Sequence, residues 1–95
     1  MPKAYIVVTE DVKDPARFGE YGKLAAQAMD GATLLAFDPA AETIEGEWHG
    51  PQTVILEFES VEAAKEWYHS DAYQAAAKIR LEAAECNAAI VTGLG

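Results

Sequence analysis

Four short apolar runs constrain this chain most: Ala4-Tyr5-Ile6-Val7-Val8-Thr9, Leu34-Leu35-Ala36-Phe37, Val54-Ile55-Leu56-Glu57-Phe58 and Ala88-Ala89-Ile90-Val91. Each has the length and the β-branched or aromatic content of a strand. A strand with one wet face alternates strictly between apolar and polar residues. These runs are nearly continuous instead, which predicts a sheet covered on both faces.

The segments between them read as helices. Asp14-Pro15 supplies an N-cap and a first-turn proline, and the helix is expected to reach about Met29, with Gly31 placed to end it in a left-handed conformation. Asp38-Pro39 opens a turn. Glu42 to Pro51 admits a short strand or hairpin, then a loop closed by Gly50-Pro51. Ser60 caps a helix to about Ser70, and Ser70-Asp71 marks a break and a new cap. A third helix runs from about Ala72 to Glu85. The resulting order is β-α-β-β-α-β over a single domain, residues 1–95, with the second helical arm in two pieces. This is the α+β, ferredoxin-like arrangement around a four-stranded antiparallel sheet. Right-handed crossovers place both helical arms on one face. Too little chain remains to cover the other, so a homodimer packed sheet against sheet is expected. A chain this short also has a small core of its own, which favours association.

On the first helix Phe18, Gly22, Ala25 and Met29 share a side, with Tyr21 at its edge. On the second, Val61, Ala64, Trp67 and Tyr68 form the apolar face, and His69 lies on the solvated one. The third helix is the informative one. Its inward stripe is Tyr73, Ala76, Ala83 and Ala84, with Arg80 near the middle. A buried charge is costly unless paired, and arginine does not deprotonate to escape. Arg80 therefore needs a structural carboxylate (Glu45, Glu57 or Glu59), backbone carbonyls, a stem along the core with its head in water, or the carboxylate or enolate of a small ligand. Trp48, Trp67, Tyr73 and Tyr5 are the aromatic residues that complete such a pocket. They serve equally as ordinary core, and Trp48 also as a dimer anchor.

Other chemistry is excluded or weak. Seven Lys and Arg against sixteen Asp and Glu leave a net charge of −9, which argues against nucleic acid and anionic membranes as partners. No run approaches a membrane span, and the N-terminal run is too short for a secretory leader. One cysteine, Cys86, forbids an internal disulfide or a cysteine-based zinc cluster and is expected as a buried thiol at a helix end. Together these features point to an acidic cytoplasmic protein, and the alanine content to a bacterial source. The two histidines have no metal spacing, Glu42, Glu45 and Glu47 make a poor cation site, and no phosphate loop or haem ligand is present, so no metal and no cofactor is expected. Ser60 and Ser70 read as caps rather than nucleophiles.

The run from Val54 to Ala64, with Trp67-Tyr68, Ser70, Tyr73-Gln74, Arg80, Glu45-Gly46-Glu47-Trp48 and Asp14-Pro15, resembles the bacterial family called domain of unknown function 1330. The resemblance spans nearly the whole chain. It implies the dimeric α/β-barrel superfamily, whose members include cofactor-free monooxygenases, lactone isomerases and haem-dependent dismutases. It implies a fold and an assembly but no reaction. The pattern also leads one to expect Gly-Gly with a basic or aromatic residue before the second strand, where this chain has Asp30-Gly31-Ala32-Thr33, and Arg before the third, where it has Gln52. Two functions follow: a binder or cofactor-free enzyme for an anionic or aromatic metabolite, its catalytic residues unassigned, or a non-catalytic homodimeric interaction or stress-related module.

Overall fold

The computed structural model describes residues 2–95; Met1, read above with the N-terminal run, lies outside them. The elements are β1 (Ala4–Val12), α1 (Pro15–Gln27), β2 (Thr33–Asp38), β3 (Gln52–Phe58), α2 (Val61–His69), α3 (Asp71–Ala83) and β4 (Ala84–Thr92). The sheet order is β2-β3-β1-β4, and every neighbouring pair is antiparallel. The ferredoxin-like α+β architecture is thus present.

Polar side chains set the helix starts. Asp14 Oδ1 accepts from the Arg17 N–H at 3.1 Å with Pro15 in the first turn, and Ser60 Oγ accepts from the Ala63 N–H at 3.1 Å. Ser70 works twice. Its Oγ donates to the Trp67 carbonyl at 2.7 Å, closing α2, and accepts from the Tyr73 N–H at 3.2 Å, opening α3. Both serines are caps, as their positions predict.

Several boundaries differ from the sequence reading, among them the end of β1, at Val12 rather than Thr9. α1 stops at Gln27 rather than near Met29, and Gly31, at φ +86°, turns the chain into β2 a few residues later. α3 stops at Ala83, not Glu85, and β4 begins at Ala84, not Ala88, because Ala84, Glu85 and Cys86 pair with Val12, Asp11 and Glu10. Cys86 is therefore a half-buried strand residue, not a buried thiol at a helix end. No strand forms between β2 and β3; that loop is closed by the Ala41 N–H donating to the Pro51 carbonyl at 2.8 Å.

The register sorts the side chains. Ala4, Ile6, Val8 and Glu10 of β1 stand opposite Phe58, Leu56, Val54 and Gln52 of β3. Ala4, Ile6, Val8, Leu56 and Phe58 pack with Ala64, Trp67, Tyr73 and Ala77 as the core beneath α2 and α3. α1 lies along α3 and buries none of its residues. The other face carries Tyr5, Val7, Ile55, Ala89 and Val91, half-buried or exposed, with no helix over it.

Candidate functional site

α1 stands off the sheet, and the gap is a cavity of about 400 Å³. Ile6, Val8, Val54 and Leu56 form its floor, while Phe18, Gly22 and Ala25 of α1, with Met29 just beyond it, form one wall. Trp67 and Tyr73 form another wall, with ring centroids 4.0 Å apart. The Trp67 indole is fixed by its N–H, which donates to the Ala28 carbonyl at 2.6 Å. Leu34 and Phe37 of β2 line the open side and are each more than half exposed.

Polar groups enter at few points. The Tyr21 and Tyr73 hydroxyls hydrogen-bond at 3.0 Å, either one donating. Burial, and then the neighbouring Tyr73, pushes Tyr21 well above the ordinary tyrosine range. Arg80 is 2 % exposed, and its Nε and Nη1 have no hydrogen-bond partner. The carboxylates considered for it are not there: Glu57 pairs with Lys3 at 3.4 Å, and Glu45 and Glu59 are exposed. Among the described residues no salt bridge reaches Arg80. Its head is not in water either.

Glu10, 1 % exposed, is the second charged residue on the wall. It accepts a hydrogen bond from Gln52 Nε2 at 2.9 Å. Burial raises its pKa above the usual carboxylate value, against the opposing effects of Gln52 and Arg80. Cys86 pairs with Glu10 across the sheet; burial pushes its thiol up, and the nearby Arg80 acts the other way. Gly50 packs on the Glu10 backbone so closely that a Cβ there would lie 2.6 Å from the Glu10 carbonyl carbon. Only glycine lets the loop cover that point.

Arg80, Tyr73 and Trp67, singled out in the sequence, meet at this cavity. Tyr5 and Trp48 do not line it. Tyr5 belongs to the alternate set of β1, opposite Glu57 and Val91, and faces away from the helices. Trp48 is 48 % exposed, and its N–H donates at 2.9 Å to Thr53, whose β1 partner Thr9 is in the same set as Tyr5. Three contributors escaped the sequence reading: Glu10, Gln52 and, as more than an edge residue, Tyr21. Glu10 was detectable, because it continues the even-numbered set Ala4, Ile6, Val8 once β1 extends past Thr9. Among the described residues no cluster of His, Cys, Asp and Glu is arranged to hold a metal ion. No helix of the described residues is long and apolar enough to cross a membrane.

A family model, Domain of unknown function (DUF1330), matches residues 3–94. No curated protein matches. Among solved structures, a dimeric ferredoxin-like protein of unknown function from Jannaschia sp. CCS1 superposes with a TM-score of 0.76 at 12 % identity, covering 94 % of this chain and 97 % of that one. A protein of unknown function from Rhodopseudomonas palustris gives 0.74 at 17 % identity, with 99 % and 84 % covered. SnoaB, a cofactor-independent oxygenase from Streptomyces nogalater, gives 0.68 at 15 % identity, with 100 % and 96 % covered. At such identities these likenesses speak for the fold.

Proposed function

The chain belongs to the DUF1330 family, and from that premise we propose that its single domain, residues 1–95, binds a small, largely apolar, partly aromatic ligand that presents an anionic oxygen, carboxylate or enolate, to Arg80. One observation carries this reading. A guanidinium that is 2 % exposed, with Nε and Nη1 unpartnered, stands on the wall of an otherwise apolar cavity. Buried polar groups left without partners cost about 1–3 kcal/mol each, more when charged. A ligand oxygen removes that cost, and the aromatic walls supply contact area. Trp67 and Tyr73 are the wall residues, and Tyr73 or Tyr21 donates the second hydrogen bond. The cofactor-independent oxygenase among the structural neighbours makes chemistry without a cofactor a natural use of such a site.

The protein acts as a homodimer joined through the sheet face that carries Tyr5, Val7, Ile55 and Val91, where Tyr5 and Trp48 become interface residues. Support comes from the uncovered apolar face and from the neighbour described as dimeric. The lone free thiol, Cys86, fits the reducing cytoplasm.

The alternative, a non-catalytic interaction module with Arg80 locked in a structural pair, has less support, because among the described residues no salt bridge reaches Arg80. Native mass spectrometry of freshly purified protein separates the two. A retained small molecule, absent from Arg80→Met, supports the ligand reading. A clean apo dimer from every preparation favours the module.

A further inference from the structure

Glu10 puts a carboxyl group on the same wall as Arg80. A site built only to hold a carboxylate gains nothing from it, because two like charges in a dry cavity repel. A buried carboxylate has a use where charge is to be moved. Around it stand Gln52 from β3, Cys86 from β4, Arg80 from α3 and Tyr21 from α1. The only cation among these groups is Arg80, and no salt bridge joins it to Glu10 among the described residues. The guanidinium has two nitrogens without partners, and the carboxyl group accepts from Gln52. An uncharged ligand with an acidic C–H bond satisfies both.

We propose that the cavity catalyses proton transfer at carbon on an uncharged aromatic 1,3-dicarbonyl compound, with Glu10 as the base and Arg80 as the partner of the enolate oxygen. This rests on the ligand-binding reading above and narrows its anion to an enolate formed in place. A Glu10 oxygen takes a proton from the carbon between the two carbonyls. The electron pair of the broken C–H bond becomes a C=C bond, and a carbonyl π pair moves onto its oxygen. An Arg80 N–H donates to that oxygen. The negative charge passes from a carboxylate that burial disfavours to an oxygen beside an unpaired guanidinium, so the site favours the transferred state. The reverse step returns the proton to carbon, and delivery to oxygen gives the enol. Atoms and electrons balance with no further reactant. Phe18, Met29 and Trp67 on the cavity lining offer an apolar surface for the phenyl group of such a compound.

The probe is benzoylacetone, 1-phenylbutane-1,3-dione. Deuterium uptake at its central carbon is followed by NMR in D₂O, and binding by quenching of Trp67 in a Trp48→Phe background. The wild-type cavity binds the probe and speeds exchange well beyond the protein-free rate, by about 10²-fold or more, as positioned bases do. Glu10→Gln still binds but exchanges at the protein-free rate. Gln52→Leu tests the same point with Glu10 in place: losing the hydrogen bond that favours the carboxylate moves the midpoint of the pH–rate profile upward. Binding without acceleration, acceleration that survives Glu10→Gln, or an unmoved midpoint in Gln52→Leu overturns the proton-transfer inference alone. Failure of the wild type to bind any such probe overturns the ligand reading with it.

Discussion

The hydroxyls of Tyr21 and Tyr73, fifty-two positions apart in sequence, meet at 3.0 Å and tie α1 to α3 across the rim of the cavity. α1 buries no residue of its own, so this bond and the contact of Tyr21 with Phe18, ring centroids 5.2 Å apart, are prominent among its attachments. Tyr21→Phe is expected to destabilise the protein by about 1 kcal/mol, the net worth of one hydrogen bond. Denaturant melts measure it. Tyr21 itself is expected to resist ionisation beyond the ordinary tyrosine range, because burial disfavours its phenolate. An absorbance titration comparing wild type with Tyr21→Phe shows whether that residue titrates late.

On the ligand-binding proposal, Arg80 is a charge that the fold tolerates rather than needs. A buried guanidinium with unpartnered nitrogens is desolvated without a compensating bond, and an apolar side chain of similar length removes that cost. Arg80→Met is therefore expected to melt at or above the wild-type temperature. A structural ion pair would give the opposite, a loss of several kcal/mol. The same substitution removes the cation that lowers the pKa of Glu10, so the Glu10 carboxyl is expected to titrate higher still in Arg80→Met.

Glu10 also sets a pH dependence. Its folded-state pKa is raised from 4.5, chiefly by burial. The native state thus holds a proton that the unfolded chain has already released, and the contribution of Glu10 to stability falls as pH rises from the unfolded value through the folded one. Below 4.5 that contribution is fully present. The stability of wild type relative to Glu10→Gln is expected to decline from mildly acidic toward neutral pH, measured by paired thermal melts. A difference that grows with pH would contradict the assignment.

Gly50 has no room for a side chain. Its Cβ would sit 2.6 Å from the Glu10 carbonyl carbon and 2.7 Å from the Glu10 oxygen, both backbone atoms with little freedom to move. Gly50→Ala is expected to cost about 1–3 kcal/mol, the usual penalty for overpacking, and to disturb the β1 end that carries Glu10. Chemical denaturation reads the first effect, and the pH–rate profile of proton exchange reads the second.

The open sheet face predicts assembly. Sedimentation of the wild type at micromolar concentration is expected to give twice the chain mass of 10.2 kDa. Val7 sits on the central strand of that face and is only half-buried in the single chain, so Val7→Lys is expected to fold and to sediment as a monomer. A monomeric wild type would contradict the dimer.

Much of this fold was legible because its signals are local. Asp14-Pro15, Ser60 and Ser70 cap as they read, and Arg80 stands out by breaking the apolar stripe of α3. What escaped depends on pairing between distant segments. Thr9-Glu10-Asp11-Val12 looks like the polar end of a strand and is held in the sheet by Asn87, Cys86, Glu85 and Ala84, of which Ala84 to Cys86 read alone as the end of a helix. The hidden end of β1 is also what hid Glu10. Chemical type groups Tyr5 and Trp48 with Arg80, whereas strand alternation and the Thr53 contact carry them to the opposite face.

The central claim is that Arg80 awaits an anionic oxygen, and calorimetric titration of benzoylacetone into wild type and Arg80→Met tests it most directly. Measurable binding by the wild type is expected, with a loss of roughly ten- to a hundredfold in the variant, the scale of a hydrogen bond to a charged group. Equal affinity in the two proteins, or none in either, would contradict it.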